Sequence, residues 1–413
     1  MALITLIGVP EDGCNSLSSK AVNAACSARV LAGHSRLMQW FPQFNGKKLL
    51  MDDGYKVWLD QLIDEAEEGD IAVLASGDPL FFGIGDKLDQ LFPGQLKVIP
   101  SPSSMQLACS RLVLPWQNCR AISLHGRPLK VLVSRMQQND LFAILTDTKN
   151  TPQIIARHLL QFNQADWQLT VCQNLGGQSE QVDSFSVGQL ASVESDFSGL
   201  NIVIAKRNSS KQKKWSGQGQ YAQDDQFAKR MPKKGLITNR SVRHLALTEM
   251  QIQPEHCIWD VGAGSGSVGI EAAKQAWQGE VFSIEANSQC YEGIEANRLA
   301  HATDNLQLIK GMAPDALINL PRPNAVFIGG SRGAMNRILD VCWQRLLDDG
   351  VIIATAVTLD SVSELFQWAK KQNIQPQVQL INVSYSAPLA HYIRYQAENP
   401  IHLFSFSKEV DNV

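Results

Sequence analysis

At 413 residues the chain is long enough for two or more domains, most economically two of about two hundred residues each. A hydrophobic content of 44% with 19% charged residues is ordinary globular composition, which excludes a disordered chain, a collagen-like repeat and a coiled coil. A formal net charge of −3 does not mark a nucleic-acid binder, and no apolar run reaches the roughly 18 residues that a spanning helix needs.

In chain order, Leu3–Ile7 reads as a first strand. The start is apolar, but it lacks a basic leader and runs into Pro10, Glu11 and Asp12, so it does not read as a signal peptide. A helix is predicted over Leu17–Cys26, a strand over Ile71–Ala75 and a helix over Leu80–Leu91. A strand over Leu96–Ile99 and a helix over Ser104–Leu112 follow, then a strand over Leu141–Leu145 and a helix over Gln153–Phe162. The last strands of this half are Leu169–Cys172 and Asn201–Ala205. Alternating βα units predict a mainly parallel sheet, whose ligands sit in loops at the carboxyl ends of strands. Those loops follow Leu6, Ala75, Ile99 and Cys172. The eight cysteines include no Cys-x-x-Cys pair and have apolar neighbours. They read as reduced thiols of a cytoplasmic protein, without a disulfide framework or a metal site.

Residues 206–234 break the pattern with nine cations, from Lys206 to Lys234, against Asp224 and Asp225. Ser, Gly and Gln fill the gaps, so the stretch reads as a linker. The alternative is a basic arm for an anionic partner.

Beyond it, Cys257–Val261 forms a short apolar run ending beside Asp260. Gly262-Ala263-Gly264-Ser265-Gly266 and a helix pattern through Val268, Ile270 and Ala273 follow. A second strand, Val281–Ile284, leads to Glu285, twenty-one residues after Gly264. Strand, glycine loop, helix and a distal acid form the nucleotide-binding opening of a doubly wound fold, the acid suiting a ribose. The alternating glycines and Asp260 favour S-adenosylmethionine over a dinucleotide, because a carboxylate there would meet an ammonium and repel a pyrophosphate. Arg240 and Arg243 lie three apart on one helix face. They read either as clamps for substrate carboxylates or as a solvated helix start. His244, His301 and His391 read as structural, and Trp116, Trp167, Trp259, Trp343 and Trp368 as core.

Several motifs of the first half occur together. They are Ser76-Gly77-Asp78-Pro79-Leu80-Phe81-Phe82-Gly83, Pro100-Ser101-Pro102-Ser103-Ser104-Met105, Ser123-Leu124-His125-Gly126-Arg127-Pro128 and Asn174-Leu175-Gly176-Gly177. In this order they resemble the tetrapyrrole methylase family, and the last two its subgroup that methylates precorrin at carbon 5. That resemblance implies a two-lobed α/β domain over 1–206, with S-adenosylmethionine against Gly77, Asp78, Pro79, Ser103 and Ser104. Taken singly, Asp78 also reads as a turn residue and Ser103 or Ser104 as a helix cap. Pro10 departs from the family's two-glycine first loop and removes a backbone donor.

The second half, through Ile237-Thr238-Asn239-Arg240, Asp260–Val268, Ile284–Asn287, Gly311–Pro314 and Phe327–Ser331, resembles the precorrin methyltransferases that act at carbon 15 and decarboxylate an acetate arm. That resemblance implies a Rossmann-like (class I) methyltransferase over 231–413 after a basic linker at 207–230. Its cofactor contacts would be Thr238, Gly262–Gly266, Glu285 and Ala313. Arg332 stands where the family commonly has glycine, and Thr355 where it often has asparagine. Together the halves resemble fused precorrin methyltransferases of cobalamin synthesis. They imply two S-adenosylmethionine molecules per chain, a tetrapyrrole substrate and a homo-oligomer, with no nucleic acid, membrane or metal. The rival reading is an RNA methyltransferase using the basic arm; a non-catalytic sensor of S-adenosylmethionine is a third.

Overall fold

The computed structural model describes residues 3–208, 221–229 and 237–408, and they fall into two units. The first unit comprises residues up to Arg127 together with Asp140–Arg157 and Asp166–Asn208. The second comprises Pro128–Asn139, His158–Ala165 and the chain after Asn208.

The first unit holds two sheets. Strands β1 (Ile4–Val9), β2 (Val30–Gly33), β3 (Lys47–Leu50), β4 (Ile71–Ser76) and β5 (Leu96–Ile99) form a parallel sheet of order β3-β2-β4-β1-β5. Both faces are covered, which is why these strands read as nearly unbroken apolar runs. Ile4, Leu6, Val73 and Trp58 pack on one side, and Ile7, Val9, Leu74 and Phe41 on the other, following the period-two alternation of a strand.

The second sheet contains β6 (Arg120–Ser123), β7 (Leu141–Leu145), β8 (Trp167–Gln173), β9 (Gln181–Ser186) and β10 (Asn201–Arg207), in the order β6-β7-β10-β8-β9. Here the expectation of a mainly parallel sheet fails, since only β6 and β7 are parallel. The reason is local: β8 turns into β9 through the Asn174–Glu180 loop, and β10 then returns antiparallel between β7 and β8. The helix expected over Leu80–Leu91 also shortens to Gly85–Leu91. Asp78 accepts from Leu80 N at 2.8 Å and Gly85 N donates to Pro79 O at 3.1 Å, so Leu80–Ile84 is a folded turn.

In the second unit, β11 (Cys257–Val261), β12 (Glu280–Glu285), β13 (Leu306–Lys310), β14 (Ala325–Ile328) and β15 (Val351–Ala356) are parallel. β16 (Gln377–Ile381) follows, then a separate hairpin of β17 (Ser384–Leu389) and β18 (Tyr392–Ala397), and finally β19 (Ile401–Ser407). The seven-stranded order is β13-β12-β11-β14-β15-β19-β16, with β19 antiparallel to both neighbours. The chain reverses its direction of progress between β11 and β14, which is the switch point where doubly wound sheets open a crevice. Trp259 and Trp368 are buried in this core, whereas Trp116, expected in a core, is exposed.

The basic stretch divides. Residues 209–220 and 230–236, with most of its lysines, lie outside the described residues. Arg207 is not solvated: it ends β10, pairs with Asp166 at 2.7 Å and lies over the Trp167 ring. Residues 221–229 are no loose linker either, since Ala222 and Phe227 are buried in the second unit's core. Asn297 and Ala228 exchange two hydrogen bonds, Glu271 accepts from Ala222 N, and His301 stacks on Phe227. His244 packs against the Tyr221 ring at a tilt, so both histidines have structural partners. Among the described residues no helix is long and apolar enough to cross a membrane.

Candidate functional site

In the first unit, the loops leaving β1, β4 and β5 meet at the carboxyl edge of the parallel sheet. Their approach is so close that a Cβ on Gly8 would lie 2.4 Å from Gly77 O and 2.9 Å from Ser101 N. Gly77 itself has φ of +62°, a conformation that favours glycine, and a Cβ there would meet only Pro102 O, at 3.6 Å. Its far side opens on a cleft of about 370 Å³, lined by both sheets' loops. The lining includes Pro10, Glu11, Gly77, Asp78, Phe82 and Ser104 from the first sheet's side, and His125, Thr146, Cys172, Asn174 and Asn201 from the second's. All four loops singled out in the sequence contribute.

Gly77, Asp78 and Ser104 reach the cleft. Pro79 and Ser103 do not line it. Ser103 is the buried N-cap of the helix Ser104–Arg111; its hydroxyl accepts from Gln106 N at 3.2 Å while Gln106 Oε1 accepts from Ser103 N. The hydroxyl expected at a ligand is committed to the helix. Glu11 pairs with Arg36 at 2.5 Å at the mouth.

The far wall is held by side chains the sequence did not single out. Asp147 accepts backbone N–H bonds from Gly126 at 2.7 Å, Lys149 at 2.8 Å and Asn150 at 2.6 Å. Burial disfavours its charged form, but these bonds outweigh burial and hold the carboxyl below its usual range. Asn150 donates to Leu124 O and Arg127 O, fixing the loop between them from the other side. Burial pushes the Cys172 thiol up to about 12, so it is an unreactive wall group.

In the second unit, Gly262, Gly264 and Gly266 all have positive φ, and a Cβ on Gly262 would lie 2.6 Å from Gly330 O. The glycine loop is therefore pressed against the loop after β14. Glu285, at the end of β12, accepts from Gly264 N at 2.8 Å and from Asn287 N at 2.7 Å. A notch of about 30 Å³ lies between these loops, lined by Gly262, Glu285, Met312, Ala313, Gly330 and Arg332 among others. The Arg332 guanidinium comes within 3.9 Å of Glu285. Both Arg332 and Met312 are more than half exposed at its rim.

Gly262, Glu285 and Ala313 thus line one notch, with Ala263, Gly264, Ser265 and Gly266 forming the loop around it. Asp260 is displaced from the expected role. It is 1% exposed, bonded to Gly269 N at 2.9 Å and to the Ser283 hydroxyl at 3.3 Å, beneath the helix. Arg243 is likewise no clamp for substrate. It is fully buried, donating to Asp224 at 2.9 Å, Thr238 O at 2.7 Å and Ala222 O at 2.8 Å, with its guanidinium over Phe227. Arg240 donates to Gln223 and, through its backbone N–H, to Asp224. Both arginines rivet residues 221–229 to the helix Arg240–Glu249, and the Thr238 carbonyl accepts from Arg243.

Comparison with known proteins accords with this architecture. Residues 3–191 match the family of tetrapyrrole (corrin/porphyrin) methylases, and residues 229–408 match the precorrin methyltransferase domain. These matches define an enzyme with two methyltransferase domains in one chain. A precorrin-6Y C(5,15)-methyltransferase [decarboxylating] of Sinorhizobium sp. is 27% identical, over 98% of this chain and 96% of that protein. A cobalt-precorrin-7 C(5)-methyltransferase of Salmonella typhimurium is 29% identical over 49% of this chain and 98% of its own. A cobalt-precorrin-6B C(15)-methyltransferase (decarboxylating) of the same organism is 29% identical over 43% of this chain and 92% of its own. Over nearly its whole length the chain is similar to a precorrin-6Y C5,15-methyltransferase, and its two halves match the tetrapyrrole methylase and precorrin methyltransferase families.

Proposed function

We propose that the chain methylates precorrin-6Y at carbons 5 and 15 and decarboxylates the ring C acetate arm, giving precorrin-8 in cobalamin synthesis. The observation that carries this reading is the pairing of two family matches in one chain, aligned end to end with a relative named for both reactions.

S-Adenosylmethionine supplies an electrophilic methyl group at each site, two molecules per chain. The cleft of about 370 Å³ is in the range of small-molecule sites. There the backbone of Gly77, with Asp78 and Ser104, binds the nucleoside methyl donor, while Pro79 and Ser103 shape the loops beneath. In the second unit the loop Gly262–Gly266, Glu285 and Ala313 do so; Asp260 supports the loop from below, and Thr238 holds Arg243 through its carbonyl. The protein's tasks are to align a nucleophilic ring carbon with the methyl group and to exclude water. The ring system itself is the electron sink for loss of carbon dioxide, so no protein nucleophile is needed. The enzyme works in the cytoplasm as a homo-oligomer.

Incubation with precorrin-6Y and methyl-labelled donor, followed by mass analysis, tests the reading: two labelled methyl groups and loss of one carbon dioxide are expected. Calorimetry with S-adenosylhomocysteine should give two sites per chain. A single site, or methylation of RNA in place of the tetrapyrrole, overturns it.

A further inference from the structure

Methylation of a ring carbon that carries hydrogen leaves a proton to be disposed of. The methyl carbon bonds to carbon 5, the sulfonium bond breaks with its electron pair going to sulfur, and the carbon–hydrogen electrons return to the ring. The proton needs an acceptor beside that carbon. Four titratable side chains are among the described residues lining the first cleft: Glu11, Asp78, His125 and Cys172. Glu11 is ion-paired with Arg36. Asp78 is tied into its own turn through Leu80 N. Cys172 stays protonated because burial disfavours its thiolate. His125 remains, and its imidazole can hold a proton on one nitrogen while the other accepts one.

Its setting suits the task. The Nδ1 atom of His125 lies 3.4 Å from Thr146 O, a group that can only accept, so a proton there leaves Nε2 as the free base. The ring stands on a loop held on both sides: Asp147 fixes Gly126 N, and Asn150 fixes the carbonyls of Leu124 and Arg127. Thr146 is itself held by its hydroxyl's 2.8 Å bond to Asn201. Such support is what a positioned catalytic group needs.

We propose that His125 is the catalytic base of the first site, its Nε2 taking the proton released from carbon 5 as the methyl group is transferred. This rests on the carbon 5 reading above. The charged groups around His125 are Arg127, on its own loop and over the Phe82 ring, Asp147 and Lys149 on the adjoining loop, and Glu11, Arg36 and Asp78 across the cleft.

The test is His125→Asn, whose amide keeps the donor toward Thr146 O and lacks the base. Carbon 5 methylation should fall by about 100-fold or more, the scale of general base catalysis. Carbon 15 methylation, carbon dioxide release and affinity for S-adenosylhomocysteine should stay as in the wild type. The pH profile of the carbon 5 rate should change shape in His125→Asn, and imidazole should restore rate to His125→Gly. In the ligand-free wild type, nitrogen NMR should report the Nδ1–H tautomer. A His125→Asn rate within about threefold of wild type, or an Nε2–H tautomer, overturns the proposal. Failure of the wild type itself to methylate carbon 5 would instead overturn the underlying reading.

Discussion

The carboxylate of Asp260 accepts a 2.9 Å hydrogen bond from the backbone N–H of Gly269, in the first turn of the helix that the glycine loop opens. A Cβ at position 269 would lie 2.8 Å from that oxygen and 2.3 Å from the Ser283 hydroxyl, so only glycine lets the helix sit this close to β11. The acid before the glycine loop is thus a floor beam. It sets where the loop stands, and through the loop where Glu285 and Gly264 meet.

That burial makes a pH prediction. Desolvation pushes the Asp260 carboxyl up from 3.8 to about 7, with the nearby Glu285 charge acting the same way and the two hydrogen bonds opposing. The folded state then binds more protons than the unfolded one between these values, so stability falls as pH rises from about 4 to about 7. Asp260→Asn removes this share of the slope. Thermal melts at pH 5 and pH 8 should show the variant gaining on wild type at the higher pH. A difference that is the same at both would refute the assignment.

Arg243→Ala should act on folding and not on substrate binding. The guanidinium is 0% exposed and bonds Asp224 and two carbonyls, so its loss strands them. Breaking a buried pair costs about 3–5 kcal/mol, read as a lowered melting temperature of the second domain. Lysine should not rescue, because it cannot span three acceptors in a planar fork. A variant with normal stability and a raised KM for the tetrapyrrole would restore the clamp reading.

Ser103→Ala and Ser104→Ala should separate cleanly. The first removes a capping box and costs about 1 kcal/mol of stability, with carbon 5 kinetics near normal. The second touches the cleft lining and should raise the KM for the methyl donor with little change in melting. Reversed effects would exchange their roles.

The contrast between these serines shows where sequence reasoning stops. Two hydroxyls in adjacent positions before a helix are equivalent in a string, and only backbone direction decides which one caps. Strands β1, β4, β11 and β12 were legible because sheets covered on both faces demand continuous apolar runs. Glu285 was legible from its offset to Gly264. Arg243 was not, because its partners Ala222 and Asp224 sit in a segment whose charge suggested solvent. The spacing of Tyr221, Ala222, Phe227 and Ala228 was the available signal there. The reversal of β8 to β10 was invisible, since alternation of strand and helix does not fix strand direction. His125, Asp147 and Asn150 come together only through the parallel pairing of β6 with β7.

Arg332 carries the last prediction. It adopts φ of +49°, where a side chain costs on the order of 1 kcal/mol or more. Its side chain is 55% exposed and reaches the rim of the notch, 3.9 Å from a Glu285 oxygen that already accepts from Asn287 N. A pair so exposed and so long contributes little in water. Arg332→Gly should therefore relieve backbone strain, raise the melting temperature modestly and widen the notch beside Glu285. Affinity of the second site for S-adenosylhomocysteine, measured by calorimetry, should be unchanged or tighter. A clear loss of affinity with unaltered stability would mean that the guanidinium itself grips the ligand, and that Arg332 was retained for binding despite its strained backbone.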